Sequence, residues 1–218
     1  MKNIIFIAPP AAGKGTQSKL VSEEYNIPHI STGDLLREEA SKDTELGRQI
    51  KADMESGALV SDEVITTLLK NRITSDDCKN GFILDGYPRN LKQAEIYNNL
   101  LDELKLDRGV VIFFDIDSER ALKRTLSRII CPNCGSSYNL LIDELKPKKD
   151  NICDRCSHEL KTRNDDTEEV FINRFNTYMN STKDLIDYYE KLNMLHKIEV
   201  LDKSANDIFE EVKKVLND

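Results

Sequence analysis

Apolar residues in this chain gather in short unbroken runs, separated by longer stretches in which they recur every three or four positions. Ile4 to Ile7, Gly81 to Asp85 (GFILD) and Gly109 to Asp115 (GVVIFFD) are the runs, and they predict strands buried on both faces of a parallel sheet. Pro28 to Ser31 reads as a short extended piece, and Leu195 to Leu201 as a last strand. The remaining pattern is helical over Gln17–Tyr25, through Leu35, Leu36 and Arg37 behind capping residues Ser31 to Asp34, and over Thr44–Ser56, with Gly57 closing it, and Ser61–Ile73. Further helices are expected from Asn90 to Leu104, Asp117 to Ser127, Thr167 to Leu192 and Asn206 to Val215. In the last of these Ile208, Phe209, Val212, Val215 and Leu216 recur at helical spacing. Strand and helix alternate, giving an α/β fold with a parallel sheet wrapped by helices and two inserts. One insert is the run of helices after Ser31 with no strand between them. The other holds four cysteines.

Composition narrows this little but usefully. At 218 residues, 39% hydrophobic and 32% charged, the chain suits one globular domain with insertions. No apolar run approaches the roughly 20 residues of a membrane helix, and the N-terminus runs straight into a strand, so a cytoplasmic protein without membrane contact is expected. A net charge of −8 argues against wholesale binding to nucleic acid, and any basic site must be local.

Chemistry concentrates behind the first strand. Gly13-Lys14-Gly15-Thr16 opens directly into a helix, so backbone N–H groups, a helix N-terminus and the Lys14 charge converge on one point, a cradle for a chain of phosphates. The pattern G-x-x-x-x-G-K-[ST] is met imperfectly. Ala8 stands at its first glycine, and the hydroxyl is deferred past Gly15 to Thr16. Either Ala8 sits at negative φ or it carries a cost of about 1–2 kcal/mol.

Asp85, at the carboxyl end of a buried strand, reads either as an acid holding Mg²⁺ through water beside that loop or as part of a helix cap. Cys131-x-x-Cys134 and Cys153-x-x-Cys156, 18 residues apart, have the spacing of a Cys₄ zinc ribbon. Two redox pairs or an empty site are the rival readings, and His158 is a substitute ligand. Cys78 stands alone in a polar loop and receives no role. Arg37, Arg89, Arg124, Arg128, Arg163 and Arg174 fall just after strands or at insert edges. Each alone is by default a solvated surface residue, but together they suggest an anion site for two phosphate-bearing ligands.

The stretches PPAAGKGTQ, STGDLLR, DGYPRNLKQA, CPNCG and TRNDDTEEVFINR, in this order along essentially the whole chain, resemble the adenylate kinases in their long, zinc-bearing bacterial form. The resemblance implies a P-loop core with a parallel five-stranded sheet flanked by helices over 1–30, 61–127 and 166–218. It also implies a helical nucleoside-monophosphate-binding insert over 31–60 and a zinc-ribbon lid insert over 128–165. The implied reaction is ATP + AMP ⇌ 2 ADP with Mg²⁺. On the ATP side it implicates Ala12, Gly13, Lys14, Gly15, Thr16, Arg124, Arg128, Tyr138 and Lys203. For AMP it implicates Thr32, Leu36, Arg37, Met54, Ala58, Val60, Gly86, Arg89, Gln93, Arg163 and Arg174, with Gln93 reading the adenine edge. Asp85 is implied to position Mg²⁺ through water, and Asp165 and Asp166 are implied acids at the lid hinge near the reacting phosphates. Cys131, Cys134, Cys153 and Cys156 are implied ligands of a structural Zn²⁺. The catalytic set is then Lys14, Arg89, Arg124, Arg128, Arg163, Arg174, Asp85, Asp165 and Asp166, in a monomer whose partners are ATP, AMP and ADP.

Departures from the resembled pattern lie at Ala8 and Ala11 in the loop, at Ile129 in place of a second lid arginine, and at Ser157-His158 where a glycine pair often follows the last cysteine. Three other readings compete: a kinase for another nucleoside monophosphate, a zinc-ribbon nucleic-acid-binding protein, and a nucleotide sensor without turnover. The ribbon reading is opposed by a segment with Lys146, Lys148, Lys149 and Tyr138 against Asp143, Glu144 and Asp150.

Overall fold

The computed structural model describes residues 3–56, 60–163, 166–200 and 203–217. Five parallel strands form the central sheet: β1 (Ile4–Ile7), β2 (His29–Ser31), β3 (Ile83–Asp85), β4 (Val110–Asp115) and, numbered after the two strands of the cysteine-bearing insert, β7 (Leu195–Glu199). Their spatial order is β2-β3-β1-β4-β7, with Phe6 in register with Asp85 and Ile112. Pleating sends alternate side chains to opposite faces. Ile4, Phe6, Ile83, Val110, Ile112 and Phe114 enter one core, while Ile5, Ile7, Leu84 and Val111 enter the other. This two-sided burial is why these strands read as unbroken apolar runs.

Helices cover both faces. On one, α1 (Lys14–Tyr25) and α8 (Ala205–Asn217) contribute Val21, Ile208, Phe209, Val212 and Leu216 to the core, joined by Ala121 of α6 (Ser118–Leu126). On the other, α4 (Asp62–Ile73), α5 (Leu91–Leu104) and α7 (Glu168–Lys191) contribute Leu69, Ile73, Tyr97, Leu101, Leu185 and Tyr189. Between β2 and α4 lie α2 (Thr32–Ala40) and α3 (Glu45–Ser56) with no strand, as the pattern predicts. The second insert contains β5 (Arg128–Ile130) and β6 (Ser137–Asn139), an antiparallel pair extended by a bridge from Ile130 to Lys161.

Several expectations shift. The first helix begins at Lys14 rather than Gln17, and β7 ends at Glu199, with Leu201 outside the described residues. Gly57 lies outside them as well. Cys78 is not in an open polar loop. It closes a 3₁₀ turn over Asp76–Cys78, is buried against the second core, and has its thiol pushed up to about 11 by burial. Of the two alternatives for Ala8, the unstrained one holds, since it is absent from the left-handed region, and it is Ala11 that takes a positive φ, at 62°.

Candidate active site

The carboxyl ends of β1 and β3 open onto a cavity of about 990 Å³, the upper end of the roughly 300–1,000 Å³ usual for ligand pockets. The turn from Ala8 to Thr16 forms its floor. Gly13 has φ 89°, a conformation that only glycine adopts without strain, and this bend starts α1 at Lys14. Helices α2, α4, α5, α6 and α7 each have an N-terminal N–H satisfied by a side chain, from Ser31, Ser61, Asn90, Asp117 and Thr167 respectively. No side chain caps α1. Its first N–H groups therefore face the cavity with the positive end of the helix dipole behind them. Gly15 supports the same conclusion, since it needs no positive φ and a Cβ there would meet nothing within 4 Å. What its missing side chain keeps clear is the cavity itself.

Charge on the walls is arginine. Arg89, Arg124, Arg128, Arg163 and Arg174 all line the cavity with Lys14. Two acids stand directly behind them. Asp85 Oδ1 lies 2.8 Å from Lys14 Nζ and Oδ2 lies 3.1 Å from His29 Nε2. Burial alone would raise this carboxyl, but the His29 hydrogen bond and the Lys14 charge outweigh it and hold the group at about 2. Asp166, with a side chain fully excluded from solvent, accepts a fork from Arg128, Nε to Oδ2 at 2.8 Å and Nη2 to Oδ1 at 2.5 Å.

Among the described residues of the first insert none lines the cavity, and Thr32 meets the loop after β3. Thr32 Oγ1 donates to the Gly86 carbonyl at 3.1 Å, and Arg89 Nε donates to the same oxygen at 2.8 Å. Gln93 is buried, with its Oε1 accepting from the Arg89 N–H at 2.8 Å and its Nε2 donating to Asp62 at 2.9 Å. Arg37 is exposed and pairs with Asp34, Leu36 is half-buried and Met54 is exposed. Val60 is half-buried just before α4. Lys203 is not among the cavity-lining residues, and its ammonium pairs with Glu211 at 2.6 Å. Ala58 and Asp165 lie outside the described residues.

In the second insert the four sulfurs of Cys131, Cys134, Cys153 and Cys156 all lie within 4.8 Å of one another, with no disulfide among them. A tetrahedral ion with Zn–S bonds of about 2.3 Å needs sulfurs about 3.8 Å apart, so the donor set fits. The two knuckles repeat one geometry. Gly135 N–H donates to Cys131 O at 3.0 Å, and Ser157 N–H donates to Cys153 O at 2.8 Å. Gly135 and Ser157 both take positive φ, 71° and 60°. The glycine expected after the last cysteine is thus replaced by a strained serine in an unchanged turn. Ile129, in place of an arginine, is buried against Cys131, Cys153 and Leu160. His158 Nδ1 lies 3.1 Å from the Cys156 carbonyl oxygen and is not part of the sulfur cluster. Tyr138 lines the cavity while its hydroxyl accepts the Asp154 N–H at 2.8 Å and approaches Cys153 Sγ at 3.4 Å.

Sequence reading passed over three features. His29 braces Asp85 from the neighbouring strand, and Asp62 anchors Gln93. Along α7, Asn173, Thr177 and Ser181 also line the cavity beside Arg174, and their four-residue spacing of small polar side chains was the available signal.

Comparison with known proteins points one way. A model of the family described as adenylate kinase matches residues 6–194. The chain is similar to the adenylate kinase of Archaeoglobus fulgidus, 45% identical over 214 residues, covering 98% of this chain and 97% of that one. It is likewise similar to those of Thermosipho africanus, 43% identical over 215 residues (99% and 98% covered), and Clostridium tetani, 42% identical over 214 residues (98% of each).

Proposed function

This chain belongs to the adenylate kinase family, and on that premise we propose that it transfers the γ-phosphoryl group of ATP reversibly to AMP, giving two ADP. The observation that carries the proposal is an uncapped helix N-terminus with Lys14 facing a cavity walled by five arginines. Two polyphosphate chains brought end to end repel, and only this density of fixed positive charge makes their approach favourable.

The bond to the bridging β–γ oxygen breaks while one forms to an oxygen of the AMP phosphate. That phosphate is already an anionic nucleophile, so the site holds no general base for this step. Positioning and charge neutralisation are the whole of the catalysis. On the ATP side we assign Ala12 to Thr16, Arg124, Arg128, Tyr138 and Lys203, with Lys14 on the β- and γ-phosphates. On the AMP side we assign Arg37 and Arg89 to the phosphate and Thr32, Leu36, Met54, Ala58, Val60, Gly86 and Gln93 to ribose and base. Arg163 and Arg174 span the transferring group.

Mg²⁺, when bound with ATP, neutralises phosphate charge, and the ionised Asp85 supported by His29 would hold its water shell, with Asp165 and Asp166 near the reacting phosphates. A zinc ion held by the four cysteines would be structural, because no coordination place is left for water or substrate. We further propose three parts, a core (1–30, 61–127, 166–218), an AMP-side insert (31–60) and a lid (128–165), in a monomer. Closure of the lid would keep water from the γ-phosphate. No helix among the described residues is long and apolar enough to cross a membrane, and we place the enzyme in the cytoplasm.

A coupled assay for ADP with AMP, GMP, CMP or UMP as acceptor tests this. ADP formation should depend on AMP, and a preference for another acceptor, or nucleotide binding without turnover, would overturn it.

A further inference from the structure

Asp62 is the first residue of α4, directly after its cap Ser61, and has no place in the chemistry described above. Its carboxylate nonetheless ends a continuous polar chain that reaches the cavity. Oδ1 accepts from Gln93 Nε2 at 2.9 Å, Gln93 Oε1 accepts from the Arg89 N–H at 2.8 Å, and the Arg89 side chain, through Nε, holds the Gly86 carbonyl that Thr32 also reaches. Gln93 is only 7% exposed, so the two bonds of its amide are not readily exchanged for water.

An amide side chain can be turned by half a rotation, exchanging its oxygen and its NH₂ at almost the same shape. Here the exchange is forbidden from both ends. Reversed, the amide oxygen would face the Asp62 carboxylate and the NH₂ would face the Arg89 N–H, acceptor against acceptor and donor against donor. Asp62 is the stronger constraint because it is charged and accepts only. The outer oxygen, Oδ2, pairs with Lys92 at 3.0 Å, and that contact does not touch the amide.

We propose that Asp62 is a positioning and specificity-determining residue: it fixes the orientation of the Gln93 amide, and through it both the aim of Arg89 and the order of donor and acceptor shown to the acceptor base. This rests on the reading that Arg89 and Gln93 meet the monophosphate. Adenine presents a donor at its 6-amino group beside an acceptor at N1, whereas guanine presents an acceptor at O6 beside a donor at N1. A locked amide can match one order and opposes the other. A free amide can turn to either.

The test is steady-state kinetics of the full chain with AMP and with GMP as acceptors, for Asp62→Ala, Asp62→Asn and Lys92→Ala. Asp62→Ala should raise the KM for AMP roughly tenfold and narrow the AMP-to-GMP ratio of kcat/KM by roughly tenfold, while the ATP KM stays within about twofold. Asp62→Asn keeps a carbonyl oxygen for Gln93 Nε2 but can turn to present its own NH₂, so it should fall between the alanine variant and the parent, and Lys92→Ala should resemble the parent. If the alanine variant fails to fold, Asp62→Ser, which removes the carboxylate and keeps a small polar side chain, replaces it with the same expectation. Equal rises in both KM values, an unchanged AMP-to-GMP ratio, or an asparagine variant as impaired as alanine would overturn the lock. A parent enzyme that makes no ADP from AMP would instead overturn the reading on which the lock rests.

Discussion

Nζ of Lys14, at the start of α1, lies 2.8 Å from Oδ1 of Asp85, at the end of β3, so the cation of the phosphate cradle and the acid beside it neutralise each other across the cavity floor. The pair keeps a partly buried lysine satisfied and leaves its charge within reach of a bound phosphate. Replacing Lys14 with Met removes that charge from the first turn of α1 while sparing both cores. Turnover should fall by about two to three orders of magnitude, while the thermal transition drops only by the loss of this one partner of Asp85, which keeps His29. Near-parental turnover in that variant would remove Lys14 from the catalytic set.

The His29 hydrogen bond to Asp85, together with the Lys14 charge, makes stability depend on acid. Asp85 has a folded value of about 2 against 3.8 as the reference, so the folded state binds fewer protons in that window. Its contribution, about 2 kcal/mol, is complete above pH 4 and is lost as pH falls through about 2. Denaturant unfolding of the parent and of Asp85→Asn at pH 5 and pH 2 should show the parent losing more by about that amount. Parallel losses would mean the carboxylate is not held by its partners.

Arg128 presents two N–H groups to a fully buried Asp166, so truncating Arg128 leaves an uncompensated internal charge. Arg128→Ala should cost about 3 kcal/mol of stability as well as most of the turnover. Adding Asp166→Asn should restore much of the melting temperature without restoring kcat. Recovery of both together would show that Arg128 acts only as a structural partner.

Among the described residues, the core of the cysteine-bearing insert is Ile129, Leu160 and the cysteines themselves, with Tyr138 packed against them. Units below about 40 residues rarely fold without a metal or disulfide. Chelation, or Cys153→Ser, should therefore unfold this insert at lower temperature while the parallel sheet melts as before, and elemental analysis should find one zinc per chain. Rapid reaction of all four thiols in the untreated protein with no metal released would contradict this.

Ser157 occupies the left-handed position that Gly135 occupies in the sister knuckle. Ser157→Gly should relieve that strain, net of the greater freedom of the unfolded chain, by roughly 0.5–1 kcal/mol, and slow metal loss to a chelator. Ser157→Val should do the reverse. A faster loss from the glycine variant would show that the serine makes a contact worth more than its strain.

Local signals carried much of this protein. Strands buried on two faces must be apolar at every position, so β1, β3 and β4 were legible from Ile4 to Ile7, GFILD and GVVIFFD alone. The phosphate cradle was legible because Gly13, Lys14 and Thr16 are neighbours in the chain, and the sulfur cluster because each pair of cysteines sits in one turn. Tertiary structure decided what depends on partners far apart in sequence. It set His29 against Asp85, Asp62 against Gln93 and Arg128 against Asp166, across separations of 56, 31 and 38 residues that no local pattern encodes. It buried Cys78, whose polar neighbours in sequence face solvent while the thiol turns to the core. It also decided between the two alternatives for Ala8 and put the positive φ of the phosphate loop on Ala11, because the φ at each position is set by how the whole turn closes between a paired strand and a packed helix.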